Sequence, residues 1–296
     1  MKYIYASYAK CGTKSYCQAF RQLGYTVFDW NESMLYHHNE WLEIFNYATS
    51  HERIKQLLYN MYKDIEVVTD APAYLYWQEL SEIFPDAKLV FYEREIESWA
   101  VSFRGQVESF SKYYVLPDFI SKIIAYFFMP EQKKIQEMAN CLLVKVMGGM
   151  HIIPRKDFCL NYMLENCKAS FDLHARQSYR RHCADFLRNA PTKNNKKCLI
   201  LSKKDGTFAK WEPLIKFIEK CDSEEVAAFE TERKIAFEQR KKGDFEFPHE
   251  NKKAGVTDII IAELTVARNK ELTRHILAYL IFTVFLTVFC NLLIIE

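Results

Sequence analysis

Residues 2–20, KYIYASYAKCGTKSYCQAF, constrain this chain more than any other stretch. Tyr3 to Ala6 form an apolar-rich run that reads as a buried strand. Lys10 and Gly12 mark a tight turn, and a helix follows in which Thr13 or Ser15 can cap free amides. Strand, glycine-bearing loop and helix N-terminus, in that order, make an anion cradle. Unpaired amides and the positive end of the helix dipole converge on one point, and the lysines add full charge. The nucleotide-kinase phosphate loop is excluded, because it needs Gly directly before Lys-Ser/Thr. Here Gly12-Thr13-Lys14-Ser15 sets a threonine between them.

The rest of the chain alternates strand and helix signals. A helix is expected over 13–23, ended by Gly24, and then a short strand at 25–28. Residues 29–39 read as polar and irregular, and helical periodicity resumes at 41–48 and 53–62. A buried strand over 65–69 stops at Asp70-Ala71-Pro72, and a helix over 74–84 leads to another strand at 88–92. Such alternation predicts a parallel sheet with right-handed crossovers. From 98 to about 183 the pattern is helical and aromatic, which gives a helical insertion. A last strand at 198–202 and a helix at 211–220 close the domain.

With 296 residues, 49% of them hydrophobic, one large core and appendages fit. A net charge of +2 argues against nucleic-acid binding. The nine cysteines form no CxxC pair, so reduced thiols in a cytosolic domain are expected, and no metal-ligand spacing appears. Met1 is followed almost at once by the first strand, so no signal peptide is expected. Residues 222–255 are rich in Glu and Lys and read as a solvated, partly helical tether. After a juxtamembrane helix beginning near 259, residues 276–295 form an apolar run about 30 Å long as a helix, enough to cross a bilayer. Arg268, Lys270 and Arg274 precede it, which predicts a C-terminal membrane anchor with the preceding domain in the cytosol. The expected domains are therefore 1–221, a tether at 222–258, and a membrane segment at 259–296.

YAKCGTKS, Tyr8 to Ser15, resembles the 5′-phosphosulfate loop of P-loop sulfotransferases, closest to the invertebrate and bacterial members. FYEREIESWAVSF supplies Arg94 beyond a strand and Ser102 eight residues on, similar to the family's pair for a 3′-phosphate. VVTDAPAYLYWQEL resembles the segment in which an acidic residue and a proline end a central strand. LILSKKDGTFAKWEPLIKF resembles the family's final strand, turn and helix start, although TFAK separates Lys-Asp-Gly from Trp-Glu-Pro. Ala9 replaces the usual proline, Lys14 replaces a threonine, and the late Arg-Lys-Gly-x-x-Gly element is not recognisable.

The resemblance implies sulfuryl transfer from 3′-phosphoadenosine 5′-phosphosulfate (PAPS) to a hydroxyl or amine of a small or lipid-like acceptor, without a metal. It implies Lys10 at the bridging oxygen and Cys11, Gly12, Thr13, Lys14 and Ser15 around the 5′-phosphate. Arg94 and Ser102 would hold the 3′-phosphate, and Asp70 or His37 would take the acceptor proton. Asp70 reads equally as a helix cap. Two other classes stay open, a P-loop phosphotransferase using ATP and magnesium, and a membrane-tethered nucleotide-binding scaffold without turnover.

Overall fold

A computed structural model describes residues 1–46, 48–114, helical positions scattered between 134 and 146, 168–190, 197–243 and 245–248. β1 (Tyr3–Tyr5) has all three side chains buried, as a strand covered on both faces requires. It pairs in parallel with β3 (Val67–Val68) and β4 (Lys88–Tyr92). β2 (Val27–Phe28) adds beyond β3 and β5 (Cys198–Leu201) beyond β4, so the order is β2-β3-β1-β4-β5. Ile4 lies in register with Val68 and Leu89, and Tyr92 with Leu201. The α/β fold with a parallel sheet flanked by helices is thus as expected.

The topology itself selects a place for ligands. After β1 the chain leaves towards β2, and after β4 it leaves towards β5 on the other side. Neighbouring strands whose connections part in this way open a crevice at their C-terminal ends. The residues there are those following Tyr5 and Tyr92.

α1 (Thr13–Gln22) covers β1, with Phe20 against Tyr3 (ring centroids 5.2 Å apart) and Tyr16 stacked on Tyr5 (5.0 Å). The stretch expected to be irregular at 29–39 is instead α2 (Trp30–Tyr36) followed by α3 (His38–Phe45). The reason is a capping box. The Asp29 carboxylate accepts from the Asn31 amide at 2.8 Å, and Glu32 reaches back to accept from the Asp29 amide at 2.9 Å. α4 (His51–Tyr62) is capped by Ser50. A short 3-10 turn (Ala73–Tyr76) precedes α5 (Trp77–Ile83), where one continuous helix was expected.

α6 (Ile96–Tyr114) and α7 (Lys168–Asn189) lie together, tied by Arg104 to Asp172 and Arg176 to Glu97. α7 runs past the end, near 183, of the stretch expected to be helical. Its Phe186 stacks on Phe91 of β4 with centroids 4.0 Å apart. Most of the expected helical insertion lies outside the described residues.

The charged stretch after residue 221 is partly helical and mostly exposed or half-buried, as expected, but it is tied to the core rather than free of it. α8 (Trp211–Cys221) is followed by α9 (Ser223–Ala227) and α10 (Thr231–Lys242). Phe237 of α10 is 1% exposed. Arg233 lies over the rings of Tyr25 (4.0 Å) and Phe229 (4.3 Å) and donates to the Leu23 carbonyl at 3.0 Å. Phe247 packs on Tyr16 and Trp211. Three well-spaced aromatic anchors, Phe229, Phe237 and Phe247, tie this segment to the core although its mean polarity is high. Phe237→Leu is therefore expected to cost about 1 kcal/mol or more in a denaturant titration. A solvated helix would show a change within about 0.5 kcal/mol.

No helix among the described residues is long and apolar enough to cross a membrane. The expected anchor at 276–295 and the juxtamembrane helix before it lie outside the described residues.

Candidate functional site

The loop between β1 and α1 is held from every side by groups that take its carbonyls. Tyr5 donates its hydroxyl to the Cys11 carbonyl at 2.7 Å, Trp99 its indole N–H to that of Ala9 at 2.8 Å, and Arg94 a guanidinium N–H to that of Lys10 at 2.9 Å. The Ala6 amide stays in the sheet through the Val90 carbonyl, and Ser7 accepts from the Tyr92 amide at 2.7 Å. Lys10 and Gly12 both adopt positive φ, 65° and 78°. At Gly12 a Cβ would lie 2.7 Å from the Phe208 ring, so glycine is required by the close approach as well as by the backbone.

Gly12 is also the N-cap of α1 and offers no side-chain cap; neither Thr13 nor Ser15 fills that role. Helix geometry leaves the first-turn amides of Thr13, Lys14 and Ser15 without intrahelical partners. α2 and α4 have theirs satisfied by Asp29 and Ser50, whereas α3, α5, α8 and α10, like α1, have no side-chain cap; α1 differs from these in following the glycine loop at the end of β1. Its open amides sit at the crevice between β1 and β4, and amides at a helix N-terminus can take an anion in place of a cap.

The charged side chains around this point differ in their engagement. Lys10 forms no ion pair among the described residues. Burial pushes its ammonium below its ordinary pKa, and Arg94 and Lys14 add to this while Asp70 opposes. An arriving anion relieves that cost. Arg94 follows β4 and bonds the Ser98 hydroxyl at 2.9 and 3.1 Å besides the Lys10 carbonyl. Ser98, missed in the sequence, is thus its direct partner. Ser102 lies one turn further along the same face of α6 and is half-buried.

Lys14 does not point a free charge at the cradle: its ammonium pairs with Asp29 at 2.6 Å. Burial would lower its pKa, but Asp29 and Asp70 outweigh burial and raise it. The Cys11 thiol is fully buried and pushed up to about 12 by desolvation, so Cys11 contributes backbone only. Asp70 has φ 65° and follows β3. Its carboxylate accepts from the Thr13 hydroxyl at 3.0 Å and the Ala71 amide at 2.8 Å. Burial raises its pKa, with Lys14 opposing.

The two candidate bases are not brought together. His37 packs on Phe28 (5.7 Å) and Tyr62 (6.3 Å) beside the outer strand β2, and no described contact joins it to Lys10, Thr13 or Asp70. Burial lowers its imidazole pKa.

α7 adds supports that no local pattern revealed. Tyr179 donates to the Arg94 carbonyl at 2.6 Å and stacks on Trp99. His182 bonds the Ala6 carbonyl through Nε2 at 2.7 Å, which makes Nε2 the protonated nitrogen. Burial lowers its pKa from 6.5, against the Ala6 hydrogen bond and Asp185. The His182 contribution to stability is therefore full above about pH 6.5 and is lost as pH falls towards the folded value. Denaturant unfolding at pH 7 and pH 5 should show a smaller acid loss in His182→Gln, by at most about 1.4 kcal/mol per pH unit. An equal loss in both proteins places the acid sensitivity elsewhere.

Among the described residues, no group of three or more His, Cys, Asp or Glu is arranged to hold a metal ion. A family model described as a sulfotransferase domain matches residues 2–256. No curated protein matches the chain.

Proposed function

This chain belongs to the sulfotransferase-domain family, and from that premise we propose that it moves a sulfuryl group from PAPS to a hydroxyl or amine of a small or lipid-like acceptor. The observation that carries this reading is the open N-terminus of α1 at Gly12, flanked by Arg94 and by Lys10, which forms no ion pair among the described residues. These residues fit a donor with two anionic ends, because the first-turn amides of α1, a half-buried ammonium and a guanidinium lie around one crevice.

PAPS, when bound, supplies the activated sulfuryl group. The loop amides then bind the 5′-phosphate, and Lys10 stabilises the charge that grows on the bridging oxygen. Arg94 binds the 3′-phosphate, with Ser98 orienting the guanidinium and Ser102 adding a neutral donor. Asp70 takes the acceptor proton in preference to His37, because Asp70 touches the loop helix through Thr13. The apolar run at 276–295 supports placing this chemistry beside a membrane, with the domain on the cytosolic side.

One contact favours the phosphotransferase alternative. A loop hydroxyl bonded to a carboxylate after a central strand, as Thr13 is to Asp70, is the arrangement that holds magnesium in P-loop phosphate-transferring enzymes. Incubation with PAPS labelled in its sulfate, without magnesium, tests the proposal: label should pass to hydroxyl-bearing acceptors in a lipid and phenol panel. Magnesium-dependent ATP turnover with no sulfate transfer would instead establish the phosphotransferase.

A further inference from the structure

Asp29 lies outside every motif that pointed to the site, yet its carboxylate is 2% exposed and accepts from Lys14, from the Asn31 amide and from the Cys17 thiol at 3.3 Å. The capping box fixes it further. Glu32, which accepts from the Asp29 amide, is itself held by Arg21 of α1 at 2.7 Å. The β2–α2 turn is thereby locked to α1 at two points. Next to Lys14, Thr13 bonds Asp70. Two buried carboxylates thus meet the first turn of α1, Asp70 at Thr13 and Asp29 at Lys14.

We propose that Asp29 is a positioning residue: it clamps Lys14 at the first turn of α1, next to the Thr13–Asp70 contact, rather than leaving it as a ligand of the donor's phosphate, and so offsets the ammonium's charge beside Asp70, the group that takes the acceptor's proton. The catalytic half rests on the sulfotransferase reading, whereas the clamp does not. In the step it serves, the acceptor oxygen bonds to sulfur as the bond from sulfur to the bridging oxygen breaks. The electron pair leaves on the bridging oxygen, and the acceptor proton passes to Asp70.

The groups facing Asp70 are Thr13 and Lys14 from α1, Lys10 and Cys11 from the loop, Asp29 from the β2–α2 turn, and Tyr74 from the 3-10 turn. Of the charges, Lys14 and Asp29 act on its carboxyl in opposite senses. Removing one or the other should therefore move Asp70 in opposite directions, which a merely structural pair would not do.

Carbon-13 carboxyl labelling of aspartate in the full chain reads this without any turnover, with the Asp70 signal assigned by its loss in Asp70→Asn. Lys14→Met should raise the Asp70 titration midpoint by about one pH unit or more. Asp29→Asn, which keeps a capping side chain, should lower it. Lys14→Arg should restore wild-type behaviour, and Lys14→Gln serves if the methionine variant does not fold. Unchanged midpoints, or shifts in the same direction, would overturn the clamp.

Two further readings complete the test. The acidic limb of kcat/KM with labelled PAPS should follow the Asp70 midpoints. If the midpoints move and the limb does not, Asp70 is not the base and the catalytic half is overturned while the clamp stands. Lys14→Met should change the affinity for adenosine 3′,5′-bisphosphate by less than about threefold. A loss beyond about tenfold, roughly 1.4 kcal/mol, would return Lys14 to the phosphate and overturn the assignment.

Discussion

Lys10→Ala is expected to cut sulfuryl transfer about a hundredfold or more while weakening adenosine 3′,5′-bisphosphate much less. Three features carry the expectation. Lys10 lies in the loop after β1, its φ of 65° turns the chain there, and it forms no ion pair among the described residues. Its half-buried ammonium is destabilised by burial and by its cationic neighbours. It therefore gains most when negative charge appears beside it, and most charge appears as the sulfur–oxygen bond breaks. Binding of the product reports only the ground-state part of that gain. Rate and affinity falling by equal factors would make Lys10 a simple binding residue.

Arg94→Ala is expected to weaken adenosine 3′,5′-bisphosphate roughly ten- to a hundredfold, as the loss of a charge-assisted hydrogen bond worth about 1.5–3 kcal/mol implies. Binding of 5′-AMP should change far less. Arg94 also holds the Lys10 carbonyl, so some loss common to both nucleotides is built into the geometry. The informative quantity is the gap between them. Calorimetry on both nucleotides measures it, and an unchanged gap would remove Arg94 from the 3′-phosphate. Ser98→Ala should narrow the gap part of the way, because it frees the guanidinium without removing its charge.

The parts of the site that were legible are those written in consecutive residues. Tyr3 to Ser15 carries strand, turn and helix start within one short window, and the glycine that the loop demands is visible as a letter. Arg94 was legible by its place just after an apolar strand. The supports of the loop were not. Trp99, Tyr179, His182 and Phe208 reach it from 90 to 196 residues away in the chain, and each looks like ordinary core in its own segment.

Two errors have the same origin. Residues 29–39 were judged by polarity, although Asp29 and Glu32 stand at the spacing of a reciprocal cap. Residues after 221 were judged by charge, although Phe229, Phe237 and Phe247 anchor them to the core. Average composition hides a helix that needs only one buried ring. The partner of Lys14 was hidden for a different reason: adjacency to the loop suggests a phosphate ligand, and only the fold brings Asp29 to it.

Discrimination between nucleotides is the most direct test of a sulfotransferase site in this protein. Arg94 and the open end of α1 are read as a site for two separate phosphates, which ATP and AMP do not present in that arrangement. Calorimetric titration of the full chain, without magnesium, should show adenosine 3′,5′-bisphosphate binding at least about tenfold more tightly than 5′-AMP, a difference of roughly 1.4 kcal/mol. Equal binding of the two nucleotides, with ATP and magnesium binding more tightly than either, would contradict it.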